Sequence, residues 1–417
     1  MYVIYLAILP LFVLSLATAA AAQTPGWKAD PDLVQTAPGS GTDFNYDESE
    51  VPLYSLPDPL STSDGSVVAS PAEWAVQRTQ ILELFRANVY GRSPGPPDSL
   101  RFELLEENAA ALDSLATLRR IAIHSRHADR EHTFELTLFL PNEMPDQAPV
   151  FLLLNNRDPT NTDPSRAERS GFWPAEEVVA RGYGIAAIQN DDLAADDPER
   201  FREGVITLFE GTDSGSRAED AWAALAAWGW GASRAMDYFE SDPRVDARRV
   251  AVLGHSRGGK AALWAGAEDE RFGLVISNES GAGGAALSRR RYGETIERIT
   301  SSFPHWFARS FSDFGDREEM LPIDQHMLMA LMAPRGLYVA SADEDLWADP
   351  RGEYLALVHS SPVFALWGNE RMELDGMPPV EQPVVVGRLG YHVRSGSHNL
   401  TVYDWMRFLD FADHFWQ

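Results

Sequence analysis

The chain has 417 residues, of which 44% are hydrophobic and 23% are charged. These proportions are typical of a globular protein and argue against a disordered chain, a collagen-like repeat or a multispan membrane protein. The charge count is 35 basic against 62 acidic residues, a net charge of -27, which repels nucleic acids and anionic membranes. The absence of cysteine excludes disulfides, thiolate metal sites, a thiol nucleophile and a lipidated N-terminal cysteine.

The N-terminus reads as a signal peptide over residues 1–22. Residues 2–16 are almost entirely apolar, and alanines before Gln23 provide the small residues that signal peptidase requires. The apolar run is short for a membrane span. Because no Lys or Arg precedes this run, an uncleaved N-terminal anchor remains the alternative. In both cases the protein leaves the cytosol, and we expect it to be secreted or periplasmic.

Residues 23–64 are rich in Pro, Gly, Ser, Thr and Asp and show no periodicity. This composition predicts an extended N-terminal arm or linker. Residues 65–417 contain neither an internal repeat nor a clear compositional break. We therefore expect one catalytic domain over residues 65–417.

The remainder of the chain alternates strand and helix patterns. Residues 119–123 and 133–140 alternate apolar and polar side chains, which predicts antiparallel strands at one edge of the sheet. Five continuous apolar runs are typical of buried parallel strands. These runs are residues 150–154, 184–188, 250–253, 274–277 and 337–340. With a helix predicted within 218–240, the pattern indicates an α/β fold: a doubly wound, mostly parallel sheet with antiparallel edge strands, in a three-layer sandwich.

The sequence around Ser256 predicts a catalytic nucleophile. Gly254, His255, Ser256, Arg257 and Gly258 match G-x-S-x-G between an apolar strand and a helical segment. In this context the turn presents the serine hydroxyl at a helix N-terminus, where the amide of Arg257 can stabilise an oxyanion. A chance pentapeptide in an ordinary strand–helix turn is the alternative.

A nucleophilic serine needs a histidine base, which the α/β-hydrolase chain order places after the serine and the acid. His398 is the best placed, in a loop that follows the apolar residues 384–386 and precedes the terminal helix. His392 is its main competitor, although its alternating neighbours suggest a strand position with structural hydrogen bonds.

Two carboxylates are candidates for the acid that orients this base. Glu279 follows the first strand after the nucleophile, and Asp345 follows the second. Both occupy the strand ends that face ligands in open α/β sheets. Each could instead be a surface or helix-capping carboxylate, so the choice stays open.

From about Trp74 to the C-terminus, the chain resembles the glucuronoyl esterases of carbohydrate esterase family 15, particularly their bacterial members. The resemblance rests on separated blocks that occur in one order along the chain. The blocks are VYGR at 89–92, RGYG at 181–184, AWGWGASRAMDY at 227–238, GHSRGGK at 254–260, NESGAGGAA at 278–286, FPHWF at 303–307, LPIDQH at 321–326 and WADP at 347–350.

The resemblance implies the α/β-hydrolase fold and hydrolysis of the ester between a 4-O-methylglucuronic acid branch of xylan and a lignin alcohol. It implies that Ser256 is the nucleophile and His398 the base. Arg257 then helps to stabilise the oxyanion. For the acid, the NESGAGG block matches Glu279, whereas some bacterial relatives use an acid near WADP, which matches Asp345.

The resemblance also implies three substrate-binding residues. Lys260 corresponds to a sugar-contacting lysine, Trp347 to a sugar-facing tryptophan, and Glu294 to a further sugar-contacting carboxylate. Relatives often carry cysteines where this chain has His255 and Ala282. Disulfide bracing is therefore lost here, but no catalytic atom is.

Other features favour structural interpretations. The acidic run at residues 191–197 lacks the spacing of a calcium loop and predicts a solvated loop. Most of the twelve tryptophans are expected in the core. No zinc-binding spacing occurs, so we expect neither a metal nor a cofactor, and we expect a monomer without a stable membrane partner.

Two other functions compete with this prediction. One is a carbohydrate esterase for a different ester, such as acetyl or feruloyl groups on xylan. The other is a non-catalytic carbohydrate-binding protein on a hydrolase scaffold, which the retained nucleophile, base and acid candidates disfavour.

Overall fold

A computed structural model describes residues 27–41, 43–144, 147–212, 215–373 and 376–416. The predicted signal peptide lies outside these residues. The strands are β1 (Ser99–Ala111), β2 (Ala116–His127), β3 (Arg130–Pro141), β4 (Ala148–Asn155), β5 (Gly184–Gln189), β6 (Val245–His255), β7 (Leu274–Asn278), β8 (Gly336–Ala342), β9 (Val384–Val386) and β10 (Leu389–Arg394). The α-helices are α1 (Pro31–Thr36), α2 (Pro71–Phe85), α3 (Ala175–Ala180), α4 (Asn190–Leu193), α5 (Val205–Glu210), α6 (Ala224–Ser241), α7 (Arg257–Glu268), α8 (Ile296–Ser302), α9 (Gln325–Ala330), α10 (Pro350–Phe364) and α11 (Val402–Phe415).

The strands form one ten-stranded sheet in the order β1-β2-β3-β5-β4-β6-β7-β8-β10-β9. The six strands from β5 to β10 in this order are parallel to one another, as the continuous apolar runs predict. Strands β1, β2 and β3 form the antiparallel edge. The carboxyl ends of the parallel strands therefore meet at one edge, where the candidate site residues follow β6, β7, β8 and β10.

The structure differs from the sequence-based expectation at both edges of the sheet, in β1 and in the hairpin of β9 and β10. Strand β1 is the sheet edge and is mostly exposed, so its sequence lacks the alternation of a half-buried strand. At the other end of the sheet, the His398 loop was predicted to follow β9 directly, but it does not. A hairpin with Gly387 at φ 58° turns the chain into β10 first, and the His398 loop follows β10.

Helices cover both faces of the sheet and give the three layers that were predicted. Within β4, alternate side chains enter opposite cores: Leu152 belongs to the core that contains residues of α2, α6, α7, α9 and α10, whereas Leu153 belongs to the core that contains residues of α3 and α11. Both faces are thus buried, which explains why these strands are apolar without alternation. The helix predicted over residues 218–240 is α6, which begins only at Ala224. Arg217 donates a hydrogen bond to the Trp222 carbonyl and thereby holds residues 218–223 in a turn.

The segment predicted as an arm packs on the catalytic domain where the structure describes it. Tyr46 forms a small apolar cluster with Tyr292 and Leu346, and Glu48 accepts a 2.6 Å hydrogen bond from the buried Arg290. These contacts place part of the arm beside the loop that follows β8. The domain boundary at residue 64 stays a prediction. Within the described residues, none of the helices is both long and apolar enough to span a bilayer.

Candidate active site

Ser256 occupies a sharp turn between β6 and α7. Its backbone has φ 55° and ψ -127°, a conformation that residues other than glycine rarely adopt. The flanking glycines are required by space, because a Cβ at Gly254 would lie 2.1 Å from the Gly258 carbonyl oxygen. A Cβ at Gly258 would lie 2.8 Å from the Leu154 carbonyl oxygen. The motif therefore takes the strained geometry that presents a nucleophile at a helix N-terminus.

The loop after β10 brings His398 to the turn that carries Ser256. The His398 ring lies 4.4 Å, between centroids, from the ring of His255, the residue before the serine. Its Nδ1 lies 2.6 Å from Oδ2 of Asp345 and 3.3 Å from Oε2 of Glu279. The structure thus gathers the predicted base and both predicted acids, although they are far apart in sequence.

The two acids differ in their other contacts. Glu279 has φ 47° and is 1% exposed. Its Oε1 accepts a 2.7 Å hydrogen bond from Arg394, and its Oε2 accepts a 2.9 Å bond from the amide of Asn399. Asp345 makes the shorter contact with His398. Glu279 is therefore bound mainly to the chain around the histidine, and Asp345 to the imidazole itself.

The environment favours a proton on His398. Burial opposes the charged imidazolium, but the hydrogen bonds to Asp345 and Glu279 outweigh it and raise the pKa of His398. Burial raises the pKa of Glu279, while its hydrogen bond to His398 opposes that change. Because Nδ1 contacts the carboxylates, Nε2 is the ring nitrogen that faces away from them.

His392, the competing histidine, is a buried structural residue. Its Nε2 donates a 2.9 Å hydrogen bond to Asp404, and the Tyr338 hydroxyl lies 3.0 Å from its Nδ1. This confirms the strand position and the structural hydrogen bonds expected for His392.

His255 lies beneath His398 as a buried, neutral ring. Its Nδ1 donates a 2.6 Å hydrogen bond to the Asn278 side chain, and Arg157 donates a 3.1 Å bond to its Nε2. Burial, with the nearby charge of His398, lowers the pKa of His255 well below its usual value. His255 therefore packs against the His398 ring without competing for its proton.

Arg257 is held at the start of α7 by two groups. Its Nη2 donates a 2.8 Å hydrogen bond to the Asn156 carbonyl, and its Nε is paired with Asp196. The guanidinium carbon lies 5.9 Å from the centre of the Trp306 ring. The side chain is part-exposed at the serine turn, where an oxyanion would form.

Asp196 was predicted to lie in a solvated acidic loop, and that prediction is wrong for this residue. Its Oδ1 accepts a 2.8 Å hydrogen bond from His305 and a 2.6 Å bond from Trp306. Burial opposes the charge on Asp196, but the bond from His305 and the charge of Arg257 lower its pKa overall. The carboxylate is therefore charged and positions Arg257. No motif in the sequence linked Asp196 to Arg257.

Lys260 lies one turn into α7 and is 3% exposed. Its Nζ donates 2.6 Å hydrogen bonds to the carbonyls of Ser280 and Ala282, and it lies 3.6 Å from Oε2 of Glu294. Burial lowers the pKa of Lys260, while the charge of Glu294 opposes that change. These partners offset the unfavourable position of a cation near a helix N-terminus.

Glu294 and Trp347 lie next to Lys260. The amide of Glu294 donates a 3.1 Å hydrogen bond to the Trp347 carbonyl. Trp347 is half-buried, and its ring packs edge-on against Phe44 of the N-terminal arm, with centroids 4.7 Å apart. Phe44 was not among the predicted site residues, because nothing in the arm's sequence marks it as close to the site.

Glu279, Asp345 and His398 also have the residue types of a metal site. Their ligand atoms lie within 4.8 Å of one another. However, the same atoms already bond to one another, to Arg394 and to Asn399. The cluster is fully accounted for as a histidine with two carboxylate partners.

A serine at a strained strand–helix turn, with a carboxylate-bound histidine at the carboxyl edge of a mostly parallel sheet, is the arrangement typical of hydrolases with the α/β-hydrolase fold. A family model described as "Glucuronyl esterase, fungi" matches residues 123–368. The chain belongs to the glucuronoyl esterase family, carbohydrate esterase family 15.

Prokaryotic relatives resemble the chain over most of its length. Carbohydrate esterase MZ0003, from an unknown prokaryotic organism, is 40% identical and covers 93% of this chain and 95% of its own. The structure of a glucuronoyl esterase from Solibacter usitatus has a TM-score of 0.83 at 40% identity, covering 88% of this chain and 100% of that one. A structure described as a promiscuous esterase of the same family, from a marine bacterial metagenome, has a TM-score of 0.80 at 40% identity, covering 89% and 100%.

Proposed function

We propose that this protein hydrolyses the ester between 4-O-methylglucuronic acid of glucuronoxylan and a lignin alcohol. The observation that carries the proposal is the convergence of His398 and its two carboxylates on the turn of Ser256. Within a family of glucuronoyl esterases, that arrangement supports attack on the carboxyl carbon of a uronate ester.

In the first half of the reaction, the Ser256 hydroxyl attacks the C6 carbonyl carbon and His398 Nε2 takes its proton. Asp345 and Glu279 stabilise the imidazolium that forms, through their contacts with Nδ1. The tetrahedral intermediate then collapses, the bond to the alcohol oxygen breaks, and the imidazolium protonates the departing alcohol.

In the second half, a water molecule opens the acyl-enzyme. His398 removes a proton from the water as its oxygen attacks the same carbonyl carbon. Collapse of the second tetrahedral intermediate returns the proton to Ser256 and releases free glucuronic acid. The enzyme's groups thus return to their starting protonation states.

Arg257 and the pair of Lys260 and Glu294 suit a hydroxyl-rich acyl group. The Arg257 guanidinium, with its backbone amide, stabilises negative charge that grows on the carbonyl oxygen in the transition state. Lys260 and Glu294 offer a donor and an acceptor for sugar hydroxyls, and the face of Trp347 offers a surface for sugar C–H groups.

We also propose that the protein is exported through an N-terminal signal peptide and acts as a monomer outside the cytosol. Its substrate is a plant cell-wall polymer, which reaches an enzyme only outside the cell. The net charge of -27 supports a protein without nucleic-acid partners.

The proposed activity is tested with purified protein on benzyl and methyl esters of glucuronic acid, beside acetylated and feruloylated substrates. We expect the largest kcat/KM on a glucuronate ester. Faster release of acetate or ferulate would instead assign another carbohydrate esterase. A protein that binds glucuronoxylan but hydrolyses none of the four substrates would be a non-catalytic binding protein.

Substitution of Arg257 tests the proposed oxyanion role. Arg257→Ala is expected to lower kcat by about 100- to 1,000-fold with a smaller change in KM, because a transition-state donor is lost. The exposed Arg248→Ala is the matched control and should retain full activity. A variant of Arg257 that changes only KM would assign this residue to substrate binding rather than to the oxyanion.

A further inference from the structure

Arg394 lies at the carboxyl end of β10, immediately before the loop that carries His398. Its side chain is 5% exposed. Its Nη1 donates a 2.9 Å hydrogen bond to the Ser395 carbonyl, and its Nη2 donates bonds of 2.8 Å and 2.7 Å to the carbonyls of Ser397 and Asn399. Arg394 therefore binds the backbone on both sides of His398.

The same guanidinium also binds two buried carboxylates. Its Nη2 donates a 2.7 Å hydrogen bond to Oε1 of Glu279, and its Nε donates a 3.0 Å bond to Oδ2 of Asp404. Asp404 lies in the first turn of α11, where it also accepts the amide and hydroxyl of Thr401 in a capping box. Arg394 thus joins the end of β7, the histidine loop and the start of the terminal helix.

Glu279 completes this clamp from the other side. Its Oε2 accepts the amide of Asn399, the residue after His398, at 2.9 Å. Its contact with the His398 ring is longer, at 3.3 Å, than the 2.6 Å contact made by Asp345. The pair of Arg394 and Glu279 therefore bonds mainly to the backbone of the loop, which leaves Asp345 as the closest partner of the ring.

We propose that Arg394 is a positioning residue, which ties Glu279 to the His398 loop so that Glu279 holds the loop while Asp345 orients the imidazole. The proposal rests on the proposed function only for the catalytic use of Ser256 and His398. Five acceptors surround one planar group: one at Nε, one at Nη1 and three that share the two N–H groups of Nη2, a spread that a compact ammonium group cannot reproduce. A misplaced loop would leave His398 bonded to a carboxylate but poorly aimed at the serine.

The positive charge of Arg394 should also affect the pH dependence of activity. The titratable and charged groups that interact with Glu279 include His398, Asp345, Arg394, Glu353 and Arg157. If the positive charge of Arg394 is removed, the cluster of carboxylates and imidazole binds its proton more tightly. Because catalysis needs a neutral His398, the acid limb of the kcat/KM profile should move to higher pH.

The test compares Arg394→Met and Arg394→Lys, alone and combined with Glu279→Gln, and uses the exposed Arg388→Met before the same strand as control. Each variant is assayed from pH 5 to 10 on benzyl glucuronate and on 4-nitrophenyl acetate, with thermal unfolding measured in parallel. The acetate ester reports on Ser256 and His398 without requiring glucuronate specificity. A wild type active only on the acetate ester would therefore contradict the proposed substrate and still test Arg394.

Arg394→Met is expected to lower kcat by about 100-fold on every ester that the wild type hydrolyses, with KM changed by less than about threefold. Its acid limb should move to higher pH. Arg394→Lys is expected to lower kcat by about 10-fold and to leave the acid limb in place, because lysine keeps the positive charge but lacks the planar set of N–H donors. In the Glu279→Gln background both effects of Arg394→Met should shrink, and Arg388→Met should match the wild type.

Two results would overturn the proposal. The first is wild-type kcat and pH dependence in Arg394→Met. The second is an equal loss of kcat with and without Glu279→Gln, with an unmoved acid limb, which would mark Arg394 as a purely structural residue. If Arg394→Met does not fold, Arg394→Lys provides the test. Full activity in the lysine variant would show that the guanidinium donors are not needed and would contradict the proposal.

Discussion

Replacing Ser256 with alanine is expected to lower kcat/KM on benzyl glucuronate by at least about 10,000-fold, because no other group can form the acyl-enzyme. Alanine removes only the hydroxyl and keeps a Cβ in the same strained backbone, so folding should be unaffected. Initial rates and thermal unfolding curves check both parts. Substrate binding to the inactive variant, measured by calorimetry, should persist.

The exposed Ser241→Ala, at the end of α6, is the matched control and should retain wild-type activity. Substantial residual hydrolysis in Ser256→Ala, above that of a blank preparation, would contradict a serine nucleophile at this turn. It would leave the fold and the family assignment intact, since neither depends on the reaction mechanism.

The second large effect is expected at Asp345. Asp345→Asn should lower kcat/KM by about 1,000-fold, against about 10-fold for Glu279→Gln, because Asp345 makes the shorter bond to Nδ1 of His398. In both variants the acid limb of the pH profile should move to lower pH. A carboxylate that stabilises the imidazolium is then missing, so His398 loses its proton more readily.

The double variant Asp345→Asn with Glu279→Gln measures how far the two acids contribute together. We expect a loss of about 10,000-fold, close to the loss for a triad without an oriented base. Glu344→Gln, an exposed neighbour of Asp345, serves as the control and should be fully active. A larger loss for Glu279→Gln than for Asp345→Asn would assign the orienting role to Glu279 and contradict the distances.

The local features of this protein were predictable because short-range sterics and periodicity control them. The parallel strands, the antiparallel β2 and β3, and the strand–turn–helix around Ser256 follow from patterns a few residues long. Strand β10 was indicated only by the alternation around His392, and the true start of α6 was not predicted. The first depends on a hairpin at Gly387, and the second on hydrogen bonds from Arg217 that override helix propensity.

The site shows the same division. Sequence pattern and family resemblance predicted Ser256, His398 and two acids, but they could not rank Glu279 against Asp345, since both follow neighbouring parallel strands. They also missed Asp196 and Arg394. Each acts through a partner more than 60 residues away in the chain, Arg257 and Glu279 respectively. Local patterns contain no information about such distances.

By itself, therefore, the sequence determined most of the strands, the strained serine turn and the pool of candidate groups, because these depend on side-chain size and spacing along the chain. Only the tertiary structure decided which carboxylate meets Nδ1 of His398, which guanidinium holds the loop and which acid holds Arg257. Those choices depend on contacts between residues that are far apart in the chain and that the sheet brings together at one edge.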